Sequence, residues 1–187
     1  MKRSRTKRVL RVLFILSLFA YAWTWADYAT ASVPYPVPVE GVRLASIPPS
    51  FHAPREGGRE RHQGIDIMAR RGTLVRSVAW GMVVGIEEQR RGGSVVFVLG
   101  RGSILFFYAH LDSWAPGLHV GQRVEQGDLL GRVGDTGNAR GTPPHLHFEA
   151  RVAATIFAPV DPMLVLGASR PPQIRVAAAL AEIGDKR

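Results

Sequence analysis

Four of the six histidines fall in three short segments, RHQGID, FFYAHLD and PPHLHFEA, each beside residues that could share a proton or a metal ion with them. In RHQGID, His62 and Asp66 flank Gly64. Along a straight strand the two side chains would stand about 13 Å apart, too far to reach one ion at roughly 2.0 to 2.2 Å. They form a metal pair only if the chain bends. Gly64 permits a bend, and with β-branched Ile65 and Ile67 it argues against a helix. Taken alone, H-x-x-x-D is a weak signal.

In PPHLHFEA, His145 and His147 are two residues apart, and a strand would put both imidazoles on one face with Leu146 and Phe148 on the other. Such a pair can share a metal, or one can bind it while the other works beside it. It could equally be the exposed polar face of an amphipathic strand. Pro143 and Pro144 fix the approach and suit a sheet edge. In FFYAHLD, strict alternation places His110 with Tyr108 and Phe106, making Tyr108 a residue that could orient His110. A lone histidine closing an aromatic strand is more often packed or on the surface. His52 and His119 lack comparable neighbours and read as surface residues.

Cysteine is absent, so no disulfide, thiol nucleophile or thiolate site is available. Any metal must rest on imidazole and carboxylate. Zn2+ suits that set, since catalytic zinc keeps three protein ligands and leaves a fourth position for water.

The elements that must position these groups read as short β-runs punctuated by glycine. Strands are expected at Gly64 to Met68, Leu74 to Ser77, Gly81 to Glu87, Ser94 to Leu99, Ile104 to Leu111, Asp128 to Val133 and His145 to Arg151. The region lacks a sustained helical period. The fold class is therefore all-β, an antiparallel sheet folded as a half-barrel or sandwich. In VGQRVEQGDLLGRVG, Gly127 and Asp128 serve a structural turn.

At these segments, over roughly residues 43 to 165, the sequence resembles the lysostaphin-type, or LytM-like, zinc metallopeptidases that act on peptidoglycan. The likeness runs through RHQGIDIMARRGTLVRSVAWGMVV, FYAHL, VGQRVEQGDLLGRVGDTGNA and PPHLHFEA. It implies His62, Asp66 and His147 as zinc ligands and His110 and His145 as the two catalytic histidines that do not bind the ion. All five positions are filled, in the family's order. The resemblance further implies a zinc endopeptidase that cuts peptide cross-links of the bacterial cell wall. The alternative is a non-catalytic envelope protein that binds peptidoglycan or activates another wall hydrolase. SFHAPREGGRE, ahead of His62, and GNARGTPP depart from the family pattern, and these departures bear on substrate choice rather than on the metal.

The remaining chain speaks to location. Residues 1 to 11 hold six of the 24 basic residues and run into an uncharged apolar stretch from Val12 to Ala26. Residues 1–31 therefore read as a signal peptide, with Ala29-Thr30-Ala31 as a cleavage site, or as a short membrane anchor extended by Val9 and Leu10. Either implies export to the periplasm or cell envelope. Residues 32–42 read as a Pro-rich linker, 43–167 as the metallopeptidase domain and 168–187 as a tail with a short C-terminal helix. The formal charge of +9 falls to +4 without residues 1–31, which leaves 18 basic and 14 acidic residues. Such a mild balance carries no nucleic-acid footprint and weakly suits an anionic polymer.

Overall fold

The computed structural model describes residues 35–152 and 158–167. The apolar N-terminal segment and the expected C-terminal helix lie outside the described residues. Eleven strands occur: β1 (Pro54–Arg55), β2 (Glu60–Arg61), β3 (Ile65–Met68), β4 (Leu74–Arg76), β5 (Gly81–Gln89), β6 (Gly93–Gly100), β7 (Ile104–Trp114), β8 (Arg123–Val124), β9 (Leu129–Val133), β10 (His145–Val152) and β11 (Ala158–Val160). All helical turns among the described residues are three-residue 3-10 turns. The all-β, antiparallel reading holds.

β1 and β2 form a hairpin of their own, and the other nine strands make one open sheet rather than the two facing sheets of a sandwich. Its spine runs β11-β10-β7-β6-β5-β8. Two long strands are shared along their length. On β10, His145 to Phe148 pair with β3, while Ala150 to Val152 pair with β11. β7 pairs with β6 over most of its length and with β9 at its end. This sharing curves the sheet and lets β3 and β7 flank the histidines of β10.

Alternation divides the sheet into two faces. Val96, Val98, Ile104, Phe106, Tyr108, Leu146 and Phe148 point into one core with Ile65, Ile67 and Leu130. Val95, Phe107 and Ala109 form a smaller cluster on the opposite face. Residues 35–42, within the stretch read as a linker, pack onto the domain. Tyr35 and Val39 are buried, Val39 bridges to Val75, and Tyr35 bridges to Leu166 at the other end of the described chain. Pro36 keeps the start of this segment extended, and the chain then bends at Pro38 and turns at Glu40 and Gly41.

One expectation is corrected here. Tyr108 does not share the face of His110. Its ring is wholly buried in the core, and its hydroxyl accepts from Val78 N at 3.1 Å. His110 escapes that face because its φ is +62°, and the pairing of β7 with β6 shifts register between Ser94 and Val96. A β-bulge of this kind re-aims a side chain. Burial also raises the Tyr108 hydroxyl's pKa well above the ordinary value, so the phenol stays protonated. Tyr108→Phe should therefore leave the buried Val78 N–H unpaired, costing ~1–3 kcal/mol and lowering Tm by several degrees. Thermal unfolding with zinc-binding measured in parallel checks this, and altered zinc binding would return Tyr108 to the site.

Candidate metal centre

β2 ends at Arg61, the chain bends at Gly64 and β3 begins at Ile65, so His62 and Asp66 meet across the bend. Gly64 is needed for space as well as turning, because a Cβ there would stand 2.3 Å from the Phe148 carbonyl oxygen. β3 in turn pairs Asp66 with His147. Two local facts, a bend and a register, thus bring together three side chains far apart in sequence.

Their donor atoms converge. His62 Nε2 lies 2.9 Å from His147 Nδ1 and 3.1 Å from Asp66 Oδ1, and His147 Nδ1 lies 3.1 Å from the same oxygen. The far nitrogen of each ring settles its tautomer. His62 Nδ1 is 2.7 Å from the Ser50 carbonyl oxygen, which can only accept, so Nδ1 carries the proton. Arg55 Nη2, 3.1 Å from the same nitrogen, then has no lone pair to bond there. His147 Nε2 donates to Glu149 Oε1 at 2.8 Å. Three lone pairs therefore face one another, a repulsion that a cation or proton among them relieves. Tetrahedral ligands at about 2.0 Å are about 3.3 Å apart, close to the observed spacing. His62, Asp66 and His147 fit a divalent ion of that size.

Outer contacts fix these side chains. Glu149 is buried and accepts from Arg151 Nε at 2.6 Å, while Arg151 Nη2 donates to Gln63 Oε1 at 2.8 Å. A run of contacts, Gln63–Arg151–Glu149–His147, thereby ties the residue after His62 to His147. Asp66 donates its backbone N–H to Ser50 Oγ at 3.3 Å and pairs with Arg55 through Oδ2. Carboxylate–histidine pairs of this kind orient metal ligands and raise their basicity.

The electrostatics agree. Burial alone would raise the Asp66 carboxyl, but hydrogen bonds with His147 and His62 outweigh it and hold it well below the ordinary range. Burial would lower His147, but Asp66 and Glu149 outweigh it and raise its pKa. The centre draws positive charge, whether a proton or a metal ion.

The other two histidines flank it. His145 Nε2 is 4.0 Å from Asp66 Oδ1, and its Nδ1 donates to the Pro143 carbonyl at 2.9 Å. His110 donates Nδ1–H to the Thr136 carbonyl at 2.9 Å, and its ring centre lies 5.1 Å from that of His145 and 5.8 Å from that of His147. Burial first, then His147 and His145, pull the His110 imidazole down to about 4. His110 thus presents an unprotonated Nε2 near neutral pH. All five residues line one groove of about 1000 Å³, whose floor includes Phe97 and Phe107. His119 stands apart on the exposed surface, whereas His52, also exposed, reaches the groove's rim.

Sequence reasoning missed Glu149, Ser50, Arg55 and Arg151. Glu149 was within reach, since H-x-H-x-E continues the same period of two. Ser50 and Arg55 come from irregular chain and a two-residue strand, which carry no periodic signal.

The model of peptidase family M23 matches residues 60–162, more than half the chain. The chain belongs to peptidase family M23. Among curated relatives of this M23 chain, the L-Ala--D-Glu endopeptidase of Bacillus subtilis is 37% identical over 97 residues. That match takes in 49% of this chain and only 30% of the relative's length. Among solved structures, a zinc-containing peptidase from Vibrio cholerae has TM-score 0.58 and 29% identity, covering 71% of this chain and 40% of the other. The catalytic domain of the antimicrobial peptidase lysostaphin from Staphylococcus simulans has TM-score 0.57 and 27% identity, covering 67% of this chain and 96% of that domain. The M23 match spans both halves of the centre, from His62 to His147.

Proposed function

We propose that this chain is a zinc-dependent endopeptidase that hydrolyses peptide cross-links of bacterial peptidoglycan in the periplasm or cell envelope. The observation that carries the reading is the convergence of His62 Nε2, Asp66 Oδ1 and His147 Nδ1 on one point of the groove. Zinc as the ion is supported by the N, N, O donor set and by the zinc-containing relative. Peptidoglycan as substrate is supported by the B. subtilis relative and by the reading of residues 1–31 as a signal peptide or membrane anchor.

His62, Asp66 and His147 would hold the ion. The chemistry it supplies is Lewis acidity toward the scissile carbonyl and a water acidic enough to attack near neutral pH. His110 and His145 are the catalytic pair. Backbone carbonyls of Thr136 and Pro143 hold their Nδ1 protons, which turns each Nε2 toward the work of accepting one. One imidazole takes the proton of the attacking water, and the other steadies the oxyanion or protonates the leaving amine. Glu149, the carboxylate beside His147, does not serve as base, because it is committed to His147 and Arg151. An apolar floor of Phe107 and Phe97, with ring centres 4.8 Å apart, borders the site and limits bulk water.

Zymography and muropeptide analysis with the purified full chain test the proposal. New products should form, vanish with a chelator and return with added zinc, and their masses name the bond. Folded, zinc-loaded protein that releases nothing would replace the enzyme with the regulator of another hydrolase.

A further inference from the structure

The β1–β2 hairpin and the β5–β6 hairpin contribute to the same groove, and an ion pair joins them. Glu60 of β2 receives Arg91 Nη1 on Oε1 at 2.8 Å and Nη2 on Oε2 at 2.7 Å. This two-point geometry is how a guanidinium receives any carboxylate. Arg91 sits at the turn after β5, next to Gly92, whose carbonyl accepts from His110 N at 2.7 Å. Glu60 lies two residues before His62. The pair therefore borders the centre on both sides, and both residues line its groove.

Neither partner is locked in by burial. The Arg91 and Glu60 side chains remain 50% and 43% exposed, so solvent and solutes reach the pair. A carboxylate brought by a ligand could take the place of Glu60 and keep the same two-point geometry. The charge around the groove favours such an exchange. Arg55, Arg61, Arg91 and Arg151 line it against Glu60, Asp66 and Glu149. Asp66 and Glu149 are occupied by His147, so Glu60 is the acidic group open to replacement. A bound dication would add to the pull on anions.

We propose that Arg91 is a carboxylate-recognition site for the substrate, with Glu60 occupying it until a peptide bearing a free carboxylate near the scissile bond displaces it. The inference rests on the peptidase reading and narrows it, favouring stem peptides with free carboxylates over amidated ones. Glu60 and Arg91 then act in opposite directions. Glu60 competes with the substrate and Arg91 binds it, whereas a merely structural ion pair would make both variants fail alike.

The test uses full-length wild type, Glu60→Gln and Arg91→Met. Two cross-linked muropeptides from one wall serve as probes, one untreated and one with its carboxylates converted to carboxamides. Arg91→Met should raise KM for the untreated peptide about tenfold or more, and Glu60→Gln should lower it several-fold. Neither variant should matter for the amidated peptide. Melting temperatures close to wild type show that folding is intact. Changes of the same sign in both variants, or equal effects on both peptides, overturn the proposal. Should the protein prove to cut neither peptide, calorimetric binding of both to the zinc-loaded variants asks the same question without turnover. Equal affinities across the set would then overturn the carboxylate site separately from the enzyme.

Discussion

His147→Ala and Asp66→Ala are expected to lose zinc and hydrolytic activity together. Each removes one of three converging donors, and no other acidic or imidazole group is grouped with them as a ligand among the described residues. Zinc-site free energies of roughly 10–16 kcal/mol spread over four ligands put one ligand at about 3 kcal/mol, on the order of 10²–10³-fold in affinity. Alanine at 147 also leaves the buried Glu149 without its His147 partner, although Arg151 still holds it. Competition against a chelator of known affinity reads the loss. The same titration carries a pH signature. The His147 pKa is raised by Asp66 and Glu149, and zinc requires the neutral ring, so a proton competes for the site. Affinity should fall as pH drops through that raised value, and zinc binding should release a proton. Retention of zinc at wild-type affinity in either variant would remove that residue from the ligand set.

The second large effect separates ligands from catalytic residues. His110→Ala and His145→Ala should keep zinc while kcat falls by roughly 10²–10⁴, with KM little changed. Neither imidazole belongs to the converging triad, yet the His110 ring centre lies 5.8 Å from that of His147, and His145 Nε2 lies 4.0 Å from Asp66 Oδ1. His110 is pulled down to about 4, so it is already neutral over roughly pH 5–8 and able to accept a proton there. That shift has a consequence for stability. The folded pKa lies below the unfolded value near 6.5, so the unfolded chain binds more protons between them. The contribution from burying a neutral His110 is present above about pH 6.5 and is lost as pH falls toward about 4. Equal zinc loss in all four alanine variants would sink the division of roles.

The strands were legible because each long one repeats with a period of two, and the H-x-H segment declared a shared face by the same rule. Its continuation to Glu149 was there to be read as well. The face of His110 was not legible. Alternation counts residues and assumes an unbroken strand, whereas a single left-handed residue at a register shift turns the side chain over. The meeting of His62 with Asp66 required a bend, which Gly64 announced, but its pairing with His147 depended on the register between β3 and β10. Register is set by the whole buried face, so a local motif cannot supply it. The groove walls were the least legible. β1 and β2 are two residues each, too short for any periodicity, and the bond from Glu60 to Arg91 joins elements whose proximity only the folded sheet creates.

The strap at residues 35–42 closes the domain on itself. Tyr35 is clamped beside Leu166, and Gly167 N donates to the Tyr35 carbonyl at 2.8 Å. The first and last described residues of the domain are thus held side by side. Unfolding started at either end must break the same pair of contacts, so a substitution at Tyr35 should loosen both ends at once, read as faster amide exchange at Val165 and Leu166 as well as at Val39.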